Sequence, residues 1–599
     1  MTMVNQRRGP ARHLWTALGA TLLAACGTTV PLPPMRPLPP IAGVAVAPEL
    51  PAPRASAAPV PIAVTPSMDA VPVAPSAAAS AASAPYGAAV AARFPDPAVA
   101  YRTPAFEAGR VGFTGNAELQ SELGTLFREH SGSSGAGVTV RRLALGSSQA
   151  GVPIEALLLT RHRESTVDGL LLGGRPTVLL VGQQHGDEPA GAEALLVVAR
   201  ALADGNLAQL LERINVVILP RANPDGAQRG RRFTASGIDA NRDHLLLRTP
   251  EAQAQARLMR EYQPLVVVDL HEYAVGSGFA EKFGGVPRFD ALLQYASTAN
   301  LHEFVTKAAE EWFRLPVVAA LRAEGLSAEW YHTADPAPEN RRVAMGGVQP
   351  DVARNVNGLR NVISVLVESR GADLGHLHLA RRVHTHVTAV RAVLASAAER
   401  AADLLKLRRF VDTEVSARAC RGQVVIDVAT TPSEYELVLL DPATGADKRV
   451  GVAWDSALAL RTLRSRARPC GYWLAESEGA TVRQLRALGV EVQRLDEAGD
   501  LRGEAYAETA RELVARADGP DGVADAGGLL NLKVRLQPAL LDVAAGSYYV
   551  GLDQPLANLV TAALEPDTPA SFASHRILGN VNALARILAR PDVRLTAVP

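Results

Sequence analysis

The segment Thr177-Val-Leu-Leu-Val-Gly-Gln-Gln-His-Gly-Asp-Glu-Pro-Ala-Gly191 constrains the fold more than any other stretch. Val178 to Val181 is a short, uninterrupted apolar run bounded by turn residues. It reads as a strand buried on both faces. Gly182 breaks the run, and Pro189 can start the helix that follows, from about Ala190 to Ala203. His185 and Glu188 therefore fall in the loop just beyond the C-terminal end of a strand, where ligands bind in open α/β sheets. An imidazole and a carboxylate three residues apart can supply two ligands to a zinc ion. The pair alone is a common coincidence, so its meaning depends on what the rest of the chain brings beside it.

Several further runs repeat the pattern. Ile214 to Leu219 is a second buried strand, followed by Asn223-Pro-Asp-Gly226, which reads as a turn without catalytic work. Pro264-Leu-Val-Val-Val-Asp-Leu-His-Glu-Tyr273 ends in His271, and Asn361-Val-Ile-Ser-Val-Leu-Val-Glu-Ser-Arg-Gly371 ends in Glu368. Strands Val138–Leu145 and Ile154–Leu159 and a helix over Asn116–His130 precede them. Alternating strands and helices predict an α/β domain with a mixed, mainly parallel sheet flanked by helices. Parallel strands share one C-terminal edge, so His185, Glu188, His271 and Glu368 can converge despite their separation in sequence.

With Asp239-Ala-Asn-Arg242 added, these motifs in this order resemble the zinc metallocarboxypeptidase family of the carboxypeptidase A type, over roughly residues 101 to 400. The resemblance implies one Zn2+ per chain held by His185, Glu188 and His271, with a fourth position left open. It implies Glu368 as the base that takes a proton from water and passes it to the leaving amine. Arg232 would stabilise the oxyanion, with Arg229 and Arg231 as rivals for that part. Asn241 and Arg242 would grip the terminal carboxylate of a peptide substrate, since a guanidinium matches a carboxylate in a two-pronged fork. Asp239 would orient His185. One feature departs from the family. A tyrosine is expected shortly before the glutamate base, yet none lies between Gly346 and Glu368; Tyr331 and Tyr273 are the substitutes to consider.

The ends of the chain carry different information. Arg7, Arg8 and Arg12 precede an apolar segment from Leu14 to Ala25 that is too short to span a bilayer. Leu23-Ala-Ala-Cys26 resembles a bacterial lipobox, so residues 1–26 are expected to be a lipoprotein signal peptide with Cys26 as the lipidated residue. A lipid anchor to the envelope, on the outer membrane facing the periplasm, follows. Residues 27–100, rich in Pro, Ala, Val and Ser, are expected to form a disordered tether. The zinc domain is expected at 101–408, and a β-rich or α+β accessory domain without recognisable chemistry at 409–599. Cys420 and Cys470 are able to pair in an oxidising compartment. His376, His378, His384 and His386 are expected on a solvated, basic helical face rather than at a second metal.

The 599 residues hold 61 Lys+Arg against 61 Asp+Glu, so no charge excess points to nucleic acid. The function expected is a zinc-dependent hydrolase that removes C-terminal residues from peptides. The alternatives are a zinc-dependent deacylase of N-acyl amino acids and an inactive, carboxypeptidase-like binding lipoprotein. The intact set of His185, Glu188, His271 and Glu368 counts against the last.

Overall fold

The computed structural model describes residues 85–131, 137–162, 165–276, 278–334, 339–514 and 528–598. The expected signal peptide, Cys26 and the tether up to residue 84 lie outside them. No helix among the described residues is long and apolar enough to cross a membrane.

An eight-stranded sheet forms the centre. Its order is Thr139–Ser147, Pro153–Thr160, Asn215–Leu219, Thr177–Gly182, Val266–Tyr273, Ile363–Arg370, Ala291–Tyr295 and Ala328–Trp330. The four middle members, from Asn215–Leu219 to Ile363–Arg370, run parallel. Antiparallel pairs border this block on both sides, so the sheet is mixed. The apolar runs are continuous because both faces are covered. Val178 and Leu180 enter one core with Ala194 and Val198 of the helix Ala190–Ala203 and Val383 of the helix Leu379–Glu399. Leu179 and Val181 enter the opposite core with Leu258, Met259 and Tyr262 of the helix Pro250–Tyr262. Strand alternation thus divides one tetrapeptide between two cores.

A second sheet joins residues from both sides of the expected 408/409 boundary. The long hairpin Gln423–Leu440 and Asp447–Ala467 pairs with Val286–Pro287 and with Arg342–Met345. The helix Ala401–Ala417 also runs through that boundary. The helical run approaching it is two helices, Leu379–Glu399 and Ala401–Ala417, broken at Arg400 (φ −98°, ψ 18°). A third, seven-stranded sheet is built from residues 471–597, and its Tyr472, Leu474 and Val550 belong to the same core as Val178, Leu180 and Val383. The C-terminal third is therefore β-rich and packed into the first domain. Cys420 and Cys470 are joined by a disulfide.

Two expectations need correcting. Residues 85–100 were assigned to the disordered tether, but Tyr86, Val90 and Phe94 are buried, in a cluster with Val275, Leu374 and Leu440. Aromatic anchors within the Pro/Ala tract explain the difference: Arg370 lies 3.8 Å over the Phe94 ring and donates to the Tyr86 hydroxyl. The histidine cluster is not a solvated face either. His384 and His386 are buried, His384 lies 2.6 Å from the Tyr101 hydroxyl, and His376 stacks on Phe113. The helix carrying them is covered by the helices Ala190–Ala203 and Leu315–Ala323, which hides the face that its arginines suggest is wet.

Candidate metal centre and active site

The loop after Thr177–Gly182 begins with Gln183 at φ 50°, a left-handed conformation uncommon for a residue with a side chain. Gln183 is fixed there because its amide donates to Gly186 O and accepts from Arg221. Gly186 is needed for space: a Cβ there would lie 1.9 Å from the Gly226 carbonyl carbon. Asn223 ties the parts together. Its side-chain oxygen caps the short helix Pro224–Arg229, and its amide donates to Gln184 O and Arg232 O. The Asn-Pro-Asp-Gly segment is thus scaffold, as its turn chemistry suggests.

On this frame His185, Glu188 and His271 converge, all buried. His185 Nδ1 lies 2.7 Å from one Glu188 oxygen, and His271 Nδ1 lies 2.8 Å from the other. The two Nδ1 atoms are 3.1 Å apart. The opposite nitrogens both meet carboxylates: His185 Nε2 is 3.2 Å from Asp239 and His271 Nε2 is 3.0 Å from Asp269. A carboxylate behind each imidazole fixes the proton on Nε2 and leaves the Nδ1 lone pair toward the shared centre, as zinc-binding histidines require. The donor set therefore fits zinc.

The electrostatics agree. Burial opposes a charge on His271, but Asp269 and Glu188 outweigh it and hold its pKa well above the ordinary imidazole value. For His185, burial and Arg232 lower the pKa, while Glu188 and Asp239 more than offset them. Burial raises Glu188, yet the two histidines pull it far below the usual carboxylate range. The pocket is built to hold positive charge.

Glu368 stands directly opposite His271 on the neighbouring parallel strand. Its side chain forms no hydrogen bond or ion pair among the described residues. Burial, the largest effect, and the nearby Glu188 push its pKa up to about 7, against the pull of His271 and His185. Such a carboxylate is poised to exchange a proton near neutrality. Glu272, the next residue after His271, points the other way and anchors Ala190 N, Ser369 and Arg382.

Of the three candidate arginines, Arg229 and Arg231 are exposed, and Arg232 is the one that reaches the centre. It bonds Asp239 through Nε and Nη2 (3.1 and 2.8 Å), and its Nη1 is 3.1 Å from His185 Nδ1. Asn241 is buried; its oxygen accepts from Ala353 N at 2.9 Å, and its amide is 3.2 Å from His271 Nε2. Arg242 follows and donates to the Asn241 carbonyl. His185, Glu188, His271, Asp239, Arg232, Asn241 and Arg242 thus lie with Glu368 at one edge of the sheet, while Cys26 is outside the described residues.

Other residues escaped sequence reading. Asp269 is one of them, and period-two alternation, which puts it on the same strand face as His271, is the signal that marks it. Gln184 donates to both Asp269 oxygens at 2.8 Å and accepts from His244 at 2.6 Å; no sequence signal marks that relay. The two tyrosines differ in placement. Tyr273 is turned away, bonded to the Phe289 carbonyl. Tyr331 lies near enough to Glu368, Arg354, Arg242 and Arg232 to feel all four, and burial pushes its pKa up to about 12.

Comparison with known proteins identifies the class. Residues 137–280 match the family model described as zinc carboxypeptidase, and this chain carries a metallocarboxypeptidase domain of that family. Carboxypeptidase 2 of Trichophyton rubrum is 26% identical over 409 residues, covering 67% of this chain and 74% of that protein. Carboxypeptidase D of Mus musculus is 40% identical over a shorter stretch of 105 residues, 15% of this chain and 8% of that protein. A metallo-carboxypeptidase structure from Pseudomonas aeruginosa aligns with a TM-score of 0.36 at 20% identity, covering 48% of this chain and 69% of that one.

Proposed function

We propose that this protein removes C-terminal residues from peptides, with zinc held by His185, Glu188 and His271. The observation that carries the reading is the convergence of two Nδ1 atoms and one carboxylate, each imidazole backed by its own aspartate. Bound zinc supplies a Lewis acid and lowers the pKa of water. Glu368 is the proton carrier: it takes a proton from the attacking water and returns it to the departing amine. Arg232, neutralised and held by Asp239, offers its remaining N–H groups to the oxygen that gains charge as the amide is attacked. Asn241 and Arg242 grip the terminal carboxylate, and this sets which bond lies at the reacting centre.

Matched peptides with free and amidated C-termini test this reading. The free form should be cleaved at least about 100-fold faster, because an amidated end denies the half-buried Arg242 the carboxylate it would grip. Equal cleavage of the two forms would instead favour the deacylase of N-acyl amino acids or an enzyme that cuts within chains. The lipobox-like Leu23-Ala-Ala-Cys26 supports anchoring through a lipid on Cys26 at the outer membrane, facing the periplasm, so the substrates are envelope peptides, those of the cell wall among them.

A further inference from the structure

The helix Ala353–Leu359 begins against the carboxylate grip, because Ala353 N donates to Asn241 Oδ1. Its second residue, Arg354, is only 5% exposed. The guanidinium makes one hydrogen bond, from Nη2 to Gly347 O at 2.7 Å, while its Nε is buried without a partner. No carboxylate forms an ion pair with Arg354 among the described residues. It is nonetheless close enough to Glu368 to be stabilised and to Arg242 to be repelled, and it lies 6.0 Å from the centre of the Tyr331 ring. Gly346 leaves the room these two side chains occupy: a Cβ there would come within 2.7 Å of both Arg354 Nη2 and Tyr331 Cδ1.

Two guanidinium groups, those of Arg242 and Arg354, therefore lie near one another beside Glu368. Arg232 nearby already has its counter-charge in Asp239, but Arg354 has none. A buried charge without a counter-charge is costly, and a ligand that supplies the missing charge removes that cost. A single terminal carboxylate needs one grip, and Asn241 with Arg242 provides it.

We propose that Arg354 selects peptides whose C-terminal residue carries a second carboxylate, a glutamate- or aspartate-type residue. In this arrangement Asn241 and Arg242 take the main-chain carboxylate, Arg354 takes the side-chain one, and Tyr331 lines the same pocket. The proposal rests on the carboxypeptidase reading and adds the substrate class to it.

The test uses the zinc-loaded protein and three peptides differing only in a final Glu, Gln or Leu. Glu and Gln share a shape, so their ratio isolates the charge. The wild-type protein should prefer Glu over Gln by about 10- to 100-fold in kcat/KM. Arg354→Gln should bring that ratio near one, with the loss confined to the Glu peptide. Wild-type cleavage of all three within about threefold overturns the selection while leaving the carboxypeptidase reading intact, and needs no variant to fold. An Arg354→Gln loss shared equally by all three peptides also overturns it, placing Arg354 on the main-chain carboxylate. Failure to cleave any of the peptides defeats the carboxypeptidase reading and the selection together.

Discussion

Replacing Asp269 by Asn probes the metal centre without touching a ligand. Asp269 is 1% exposed and receives three hydrogen bonds or their equivalent: His271 Nε2 at 3.0 Å, and Gln184 Nε2 at 2.8 Å on each oxygen. Burial raises its pKa, but His271 and Gln184 together hold it below the usual carboxylate range, so it is charged at neutral pH. Asparagine keeps the shape, removes the charge and turns one acceptor into a donor. If its oxygen stays on His271, its amide faces the Gln184 amide, donor against donor. Gln184 then has to turn, and its oxygen leaves the 2.6 Å contact with His244. Partners behind zinc-binding histidines are worth about 10- to 100-fold in metal affinity, or roughly 1.4–2.7 kcal/mol. Zinc affinity measured by competition with a chromophoric chelator should fall by that factor. The zinc-dependent rise in melting temperature should shrink with it. Affinity within twofold of wild type, in a folded variant, would refute the argument that Asp269 orients His271.

Two further outcomes are expected. The rise in the Glu368 pKa to about 7 predicts an acidic limb in kcat/KM: activity is present when Glu368 is deprotonated and falls as pH drops through its pKa. Bound positive charge would pull that limb to between the ordinary carboxylate value and about 7, and Glu368→Gln should cost about 10²–10⁴-fold while zinc content is retained; undiminished turnover would remove Glu368 as the proton carrier. For the anchor, cells fed a clickable fatty acid should label the wild-type protein and not Cys26→Ser, and equal labelling of both would dismiss lipidation at that cysteine.

Much of the zinc domain was legible because its signals are local. Val178–Val181 and Val266–Val268 are apolar throughout, and such runs fit a strand covered on both faces. The helix Asn116–His130 and the helix Ala190–Ala203 have the bounds their spacing predicts. His185, Glu188, His271 and Glu368 were readable because each follows or ends such a run, and parallel strands share an edge.

The C-terminal third was harder, for a reason visible in its burial. Asp447–Ala467 and Gly499–Val514 are strands that carry no strand signature in their sequence. Both are rich in charge, and long parts of each are exposed on both faces, so neither a two-residue alternation nor an apolar run marks them. Their partners across the hairpin, supplied by tertiary pairing, make them strands. Gln423–Leu440 likewise runs as one strand through Pro432, a residue that locally argues against a continuous strand.

Sequence alone therefore determined the parallel block of the sheet and the strand ends that carry His185, Glu188, His271 and Glu368, all encoded in motifs a few residues long. Tertiary structure decided which arginine of three reaches the centre, that Asp269 stands behind His271, and that Cys420 meets Cys470. It also brought Tyr331 and Arg354 near Glu368 and Arg242. These facts depend on distances between elements far apart in the chain, and local spacing carries no record of which distant side chains the packed layers bring together.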